Sequence, residues 1–395
     1  MEYERIVAPA AAAMRPSGIR KFFDIAAELE GCISLGVGEP DFKTPWRIRD
    51  AGIRSLEKGK TTYTANAGLK ELRQEIAAYM QRRFGLCYEP LKEVLVTVGG
   101  SEAIDMCIRS LVAPGDEVII PEPCFVCYQP ITTLTGGVPV PVPLKAENEF
   151  RLTAAELKAA ITPRTKLLVL PFPCNPTGAV MEKEHLEEIA QVLRGTDIVV
   201  LADEIYAELT YGDKRHVSIA SLAGMAERTV VVNGFSKAFA MTGWRLGYAC
   251  GPAPLISVMT KLHQNCIMCA PTTSQYAAVV AMRECDDEIE RMRREYDMRR
   301  RLLVKRLNEM GLACFEPKGA FYVFPSVQAT GLSSEAFCEA LLYAQKVAVV
   351  PGTAFGDSGE GFVRISYAYS VNHLTEALDR IQAFLQEREA GAAHG

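Results

Sequence analysis

Residues Thr229–Tyr248 read TVVVNGFSKAFAMTGWRLGY. Three consecutive valines close on Asn233 and Gly234, the composition of a buried strand that ends at a turn. Lys237 follows behind a serine, and Arg245 comes eight residues later. The same plan recurs upstream in EVLVTVGG, DEVIIPEP, TKLLVLPFP and DIVVLADE, short β-rich runs that end on glycine, proline or an acid. Between several of them lie helix-like segments such as SEAIDMCIRSLV and EKEHLEEIAQVLRG, the second with apolar residues at helical spacing. Strand and helix in alternation predict an α/β fold, a mostly parallel sheet covered by helices on both faces. GVPVPVPL departs from the plan: its prolines cannot donate to a ladder, so it is expected at an edge or as a surface crossing.

The 395 residues, 49% hydrophobic and 23% charged, are enough for a large core and two domains. A net charge of −5 carries no electrostatic footprint for nucleic acid or an anionic membrane, so a small-molecule substrate is expected. The start, MEYERIVAPAAAAMRPSG, lacks the charged and then apolar layout of a secretory signal, and Pro16 and Gly18 interrupt it. No apolar run reaches the length of a membrane span. Twelve cysteines are too sparse for a disulfide scaffold, and some, like Cys107 in AIDMCIRSLV, have apolar neighbours; reduced thiols in a cytoplasm are expected.

After APTTSQYAAVVAMRE comes a long helical stretch, DDEIERMRREYDMRRRLLVKRLNEMG, ending at Gly311 as a C-terminal cap would. Asp286, Asp287, Glu288, Glu290, Glu295 and Asp297 alternate with its arginines, which predicts a solvated, ion-paired face. Beyond it, GAFYVFPSV, KVAVVPGTAFG and GFVRISYAYS read as strands, and SSEAFCEALLYAQ and NHLTEALDRIQAFLQER as helices. The expected division is a large cofactor-binding domain over 45–285 and a smaller α/β domain built from 1–44 plus 286–395.

Four candidate motifs fall just past expected strands: GGSEA, NPTG, DEIY and the SK of Ser236-Lys237. Ligands of open parallel sheets bind outside the carboxyl ends of the strands, so one pocket gathers all four. At Gly99-Gly100-Ser101-Glu102 a strand hands over to a helix whose first N–H groups suit an anion; the same residues also suit an ordinary turn capped by Ser101. Glu102 fits a helix start through the dipole, but its side chain has to turn away from a bound phosphate. Arg245 and the Ser236 hydroxyl supply side-chain donors for the same anion. Asp203 ends an apolar run, where a bare charge is costly unless a cation or several donors meet it. A phosphorylated, cationic ring held covalently by a lysine satisfies these demands together, and pyridoxal 5'-phosphate is such a molecule.

In order, SLGVGEPDF, GGSEA, NPTGAV, DEIY, SKAFAMTGWRLGY and RISY resemble the class I/II aminotransferases, fold-type I enzymes that use pyridoxal phosphate, over about Ser17 to Leu385. The resemblance implies that Lys237 is the Schiff-base lysine and Asp203 the partner of the pyridine nitrogen. It implies that Tyr206 and Asn175 hydrogen-bond the ring oxygen and that Phe125 stacks on the ring. The phosphate is then held by the backbone at Gly100, Ser101 and Glu102 with Ser236 and Arg245, and Tyr63 of TTYTANAGL reaches a neighbouring subunit's phosphate in a homodimer with shared sites. Arg364, with Gly38 and Asn175, clamps the substrate carboxylate. Phe125 stands where a tryptophan or tyrosine would bring a polar handle, and Phe172 where asparagine or histidine is frequent. The implied reaction moves the α-amino group of an amino acid to a 2-oxo acid by ping-pong kinetics. Alternatives are a pyridoxal-phosphate C–S β-lyase of the same fold and a non-catalytic aminotransferase-like binding protein; only about forty residues precede the first large-domain motifs, too few for the DNA-binding domain such regulators carry. The donor is left open among aromatic, aspartate-like and diaminopimelate-pathway amino acids, with PSGIRKFFDIA and residues near Ile19 and Val37 as candidates for the side-chain pocket.

GVGEPD lacks the third glycine of a dinucleotide fingerprint, and Pro40 and Pro45 prevent the helix that must follow. Cys124/Cys127 and Cys266/Cys269 share C-x-x-C spacing but lie too far apart for a zinc ribbon, and no metal is expected. His185, His216, His263, His373 and His394 form no ligand-spaced cluster, and none is expected to be catalytic.

Overall fold

The computed structural model describes residues 5–14, 28–213 and 215–393. Pro16, Gly18, Ile19, His394 and the segment PSGIRKFFDIA lie outside the described residues. The strands are β1 (Ile33–Ser34), β2 (Val94–Thr97), β3 (Glu117–Glu122), β4 (Val138–Pro143), β5 (Thr165–Leu170), β6 (Val199–Asp203), β7 (Thr229–Gly234), β8 (Gly247–Cys250), β9 (Tyr322–Val323), β10 (Val347–Ala348), β11 (Val350–Pro351) and β12 (Val363–Ser366).

Seven of them form one sheet in the order β2-β8-β7-β6-β5-β3-β4. All run parallel except β8, which is antiparallel to both neighbours. Alternate residues explain why these runs are apolar throughout. Val96, Ile119, Leu168, Val200 and Val231 join one core. Their strand neighbours Leu95, Val118, Leu167, Leu201 and Val230 join another, so both faces are covered. Each such side chain, taken fully out of water, contributes about 1.5–3 kcal/mol. The proline-rich β4 is an edge strand, paired only to β3.

β8 was not anticipated. Its four residues GYAC lie between Arg245, in the left-handed region at φ 50°, and Gly251-Pro252, too short a run to show a period.

A third core lies against the sheet β11-β12-β9 and the parallel pair β1-β10. It joins Leu303 and Leu307 of the Asp286–Glu309 helix to Leu341, Leu378 and Ile381, and includes Ile33 and Leu35 from the N-terminal side. Tyr206, at the end of the large sheet, also belongs to it. The long helix stops at Glu309, with Gly311 just beyond at φ +81°. Its ion pairs are present, Glu290 with Arg83, Arg215 and Arg293 and Asp297 with Arg300 and Arg301. The expectation of a solvated, ion-paired face holds for the ion pairs but not for Arg299 and Arg300, which are buried. Each keeps a carboxylate partner, Asp41 at 2.8 Å and Asp297 at 2.7 Å, as a buried guanidinium requires. Of GAFYVFPSV only Tyr322 and Val323 are strand.

Candidate active site

Because β2, β5, β6 and β7 point the same way, their carboxyl ends lie along one edge of the sheet, and the four motifs follow them there. They enclose a cavity of about 430 Å³. Gly100, Ser101, Asn175, Asp203, Ser236 and Lys237 line it, as do Phe125, Tyr206 and Arg245. Gly38 and Arg364 reach it from the N-terminal segment and from β12. Among the expected site residues, Glu102 and Tyr63 are the two that do not line it. Tyr63 is 80% exposed, and the Glu102 side chain is turned back toward Val98 and His263.

The anion cradle is set by backbone. The Gly99–Leu111 helix has Val98 as its N-cap and no side-chain cap, so Ser101 stands inside the first turn and the reading of it as an N-cap is corrected. Two glycines bring the parts together. A Cβ on Gly247 would lie 2.5 Å from the carbonyl carbon of Gly99 and 2.6 Å from the Gly100 nitrogen, so β8 can approach the helix start only without a side chain. A Cβ on Gly99 would lie 2.6 Å from Nη2 of Arg245, whose Nη1 donates to the Thr242 carbonyl at 3.0 Å. The helix start and the Arg245 guanidinium therefore lie side by side, and Ser236 lines the same cavity, a donor set that suits a phosphate.

Asp203 faces the cavity 7% exposed. Its Oδ2 accepts from the Tyr128 hydroxyl at 2.6 Å and its Oδ1 from the Ile205 N–H at 3.2 Å. Burial nevertheless pushes the carboxyl above the usual carboxylate range, against those two bonds. No lysine or arginine of the described residues is in ion-pair contact with it, so a cation entering the cavity would be stabilised there.

Lys237 donates from Nζ to the Gly38 carbonyl at 2.5 Å. Burial, followed by the positive charge of Arg364, pulls its amine down to about 8, within reach of neutral pH. Arg364 is buried between the rings of Tyr322 and Phe355, at 4.6 and 4.7 Å. Its Nη1 donates to Asn175 Oδ1 at 2.8 Å and its Nη2 to the Gly36 carbonyl, while its Nε is buried without a partner. That guanidinium keeps donors to spare for a carboxylate. The Tyr206 and Tyr322 hydroxyls are 2.8 Å apart.

Residue-level reasoning missed Tyr128 and Tyr322. Tyr128 stands three residues after Phe125, in a run with no sequence mark of a carboxylate partner; the two rings meet edge to face at 6.2 Å. Tyr322 lay inside a stretch read only as strand, and nothing in its sequence surroundings marks it as polar chemistry.

The family model "Aminotransferase class I and II" matches residues 30–381. The chain belongs to this family. It is an aminotransferase of the fold-type I architecture. It is 56% identical to the putative aminotransferase YugH of Bacillus subtilis, covering 95% of this chain and 97% of that one. It is 50% identical to an aspartate aminotransferase of Pyrococcus abyssi, with the same coverage. Among solved structures, the aromatic aminotransferase from Pyrococcus horikoshii superposes with a TM-score of 0.89 at 48% identity, over 93% of this chain and 99% of that one. Among the described residues of the aminotransferase no helix is long and apolar enough to cross a membrane.

Proposed function

We propose that this aminotransferase works with pyridoxal 5'-phosphate in the cavity at the strand ends, as a homodimer in the cytoplasm. The observation that carries the reading is the buried Asp203 facing the same cavity as the amine of Lys237 and the anion cradle. Those three features fit the cofactor's ring nitrogen, aldehyde and phosphate, and β8 and Arg245 come as close to the helix start as they do only because Gly247 and Gly99 lack a Cβ. When bound, the cofactor supplies an aldehyde that takes up the amino group and a ring that accepts the electron pair released at the substrate Cα.

The chain's own residues do the rest. Lys237 would be the covalent anchor for the aldehyde, and its amine, when free, would be the base for the substrate Cα proton. Asp203, oriented by Tyr128, would keep the proton on the ring nitrogen. Asn175 spends its Oδ1 on Arg364, which leaves its Nδ2 free, and with Tyr206 it would donate to the ring oxygen. Phe125, which lines the cavity, would cover a ring face and exclude water. Arg364 grips the donor's α-carboxylate, with the Gly38 backbone beside it.

We also take 45–285 as the cofactor-binding domain and 1–44 plus 286–395 as the smaller one. Exposed Tyr63, Ile267 and Met268 support a homodimer in which Tyr63 reaches the partner's phosphate; all twelve cysteines are unpaired, which supports a reducing compartment. Relatives named for aspartate and aromatic amino acids make those two classes the donors to try first.

The test is the half-reaction. Mixing the cofactor-loaded chain with one amino acid of a panel should convert the visible absorption to that of the aminated cofactor, and 2-oxoglutarate or pyruvate should reset it. Release of ammonia with no co-substrate would replace the reading by the lyase. Arg364→Lys should raise KM for the donor about 100-fold, a point charge standing in for a two-pronged grip, with covalent cofactor uptake unchanged. Uptake itself needs the neutral amine, whose fraction falls about tenfold per pH unit below its midpoint. With that midpoint at about 8, stopped-flow rates of uptake should climb with pH to about 8 and level off above it. A flat profile from pH 6 to 9 would contradict the buried, charge-flanked amine.

A further inference from the structure

The cradle at the Gly99–Leu111 helix contains an acid of the same sign as the phosphate it is read to hold. Glu102 lies in the first turn, where the dipole attracts any negative group, its own carboxylate included. In the structure that carboxylate is kept turned back. Oε2 accepts from the Val98 N–H, and Oε1 lies 2.7 Å from Nδ1 of His263. His263 comes from a different element, the Ala253–Cys266 helix, and its side chain has no solvent exposure. Its other ring nitrogen, Nε2, is buried with no partner, so the contact with Glu102 is the only hydrogen bond this ring makes among the described residues. Since an ionised carboxylate only accepts, the Nδ1 of His263 is the donor.

We infer that His263 is a positioning residue for the anion cradle: its Nδ1–H holds the Glu102 carboxylate away from the first-turn amides, leaving them free for the phosphate. The inference rests on reading that cradle as the cofactor's phosphate site. Without the donor, one carboxylate oxygen loses its partner and the side chain is free to turn to the first turn's own N–H groups. There it both occupies donors and repels the phosphate. A purely structural role for the pair would lower stability when either member is removed, and anion affinity would not depend on the charge at residue 102.

The two cases separate in a double-mutant cycle on the full-length chain purified without added cofactor. Affinities for pyridoxal phosphate and for inorganic phosphate are read by quenching of tryptophan fluorescence, with thermal melts as the folding check. His263→Leu should weaken both ligands by at least about tenfold, the scale of one charge interaction across a partly screened interior. His263→Asn, whose amide nitrogen sits on the same carbon as Nδ1, should bind like wild type. Glu102→Gln combined with His263→Leu should restore binding, because the repelling charge is gone. Unchanged affinity in His263→Leu, or a double variant as weak as the single, overturns the inference. If His263→Leu does not fold, Glu102→Gln alone decides: it should bind inorganic phosphate at least as tightly as wild type, and weaker binding overturns the inference. A wild-type chain that takes up neither ligand would overturn the cofactor reading and this inference together.

Discussion

Lys237→Ala should reduce turnover by about 10⁵-fold or more and abolish borohydride fixation of the cofactor to the chain. Proton transfer by a positioned side chain alone accounts for roughly 10²–10⁴-fold, and on the proposed reading the same residue is also the covalent tether. No other group lining the cavity substitutes for it. The remaining basic side chains there are Arg245 and Arg364, and a guanidinium serves as neither nucleophile nor base. The environment of Lys237 is also specific to its position, since burial and the Arg364 charge bring its amine down to about 8. Peptide mapping after borohydride reduction of the wild type should place the label on the peptide containing Lys237. A label elsewhere, or substantial turnover by the alanine variant, would remove the assignment.

Asp203→Asn should lower kcat/KM by roughly a thousandfold while leaving the fold intact. The substitution keeps the size of the side chain and the contact to the Tyr128 hydroxyl, but an amide cannot hold a proton on a ring nitrogen. An ion pair at hydrogen-bonding distance in partly screened protein is worth about 4 kcal/mol, which corresponds to that factor. Burial of Asp203 sharpens the expectation. In the chain as it stands burial works against the charged carboxylate, so the acid gains most from a cationic partner and loses most when replaced by a neutral isostere. Steady-state kinetics with a single donor and acceptor would measure the effect, and near-wild-type catalysis by the asparagine variant would show that the ring nitrogen needs no anion. Tyr128→Phe should act in the same direction and more weakly, since it removes one hydrogen bond from a carboxylate that keeps its charge.

The sheet was legible because each strand carries its own signal. β3, β6 and β7 are apolar runs ended by a turn residue or an acid, and the alternation with amphipathic helices implies the parallel arrangement. Lys237, Asp203 and Asn175 were legible for the same local reason, each lying at or just beyond a strand end. β8 was hidden because four residues hold no period, although it carries the glycine that lets the strand pack against the start of the Gly99–Leu111 helix. The long helix was legible as an ion-paired element, but which of its arginines point inward was not: Arg299 is buried because Asp41, 258 residues away, meets it there.

By itself, then, the amino-acid order determined the element types, the strand-end positions of the reactive residues and the family, all of which depend on patterns spanning a few to a few dozen neighbours. Only the tertiary structure decided the partners: Tyr128 on Asp203 across 75 residues, Tyr322 on Tyr206 across 116, and His263 on Glu102 across 161. Hydrogen bonds and charge interactions act over a few ångströms. Which side chains come that close is fixed by the order and register of the strands and by which helix covers which face, and no local run of residues encodes that.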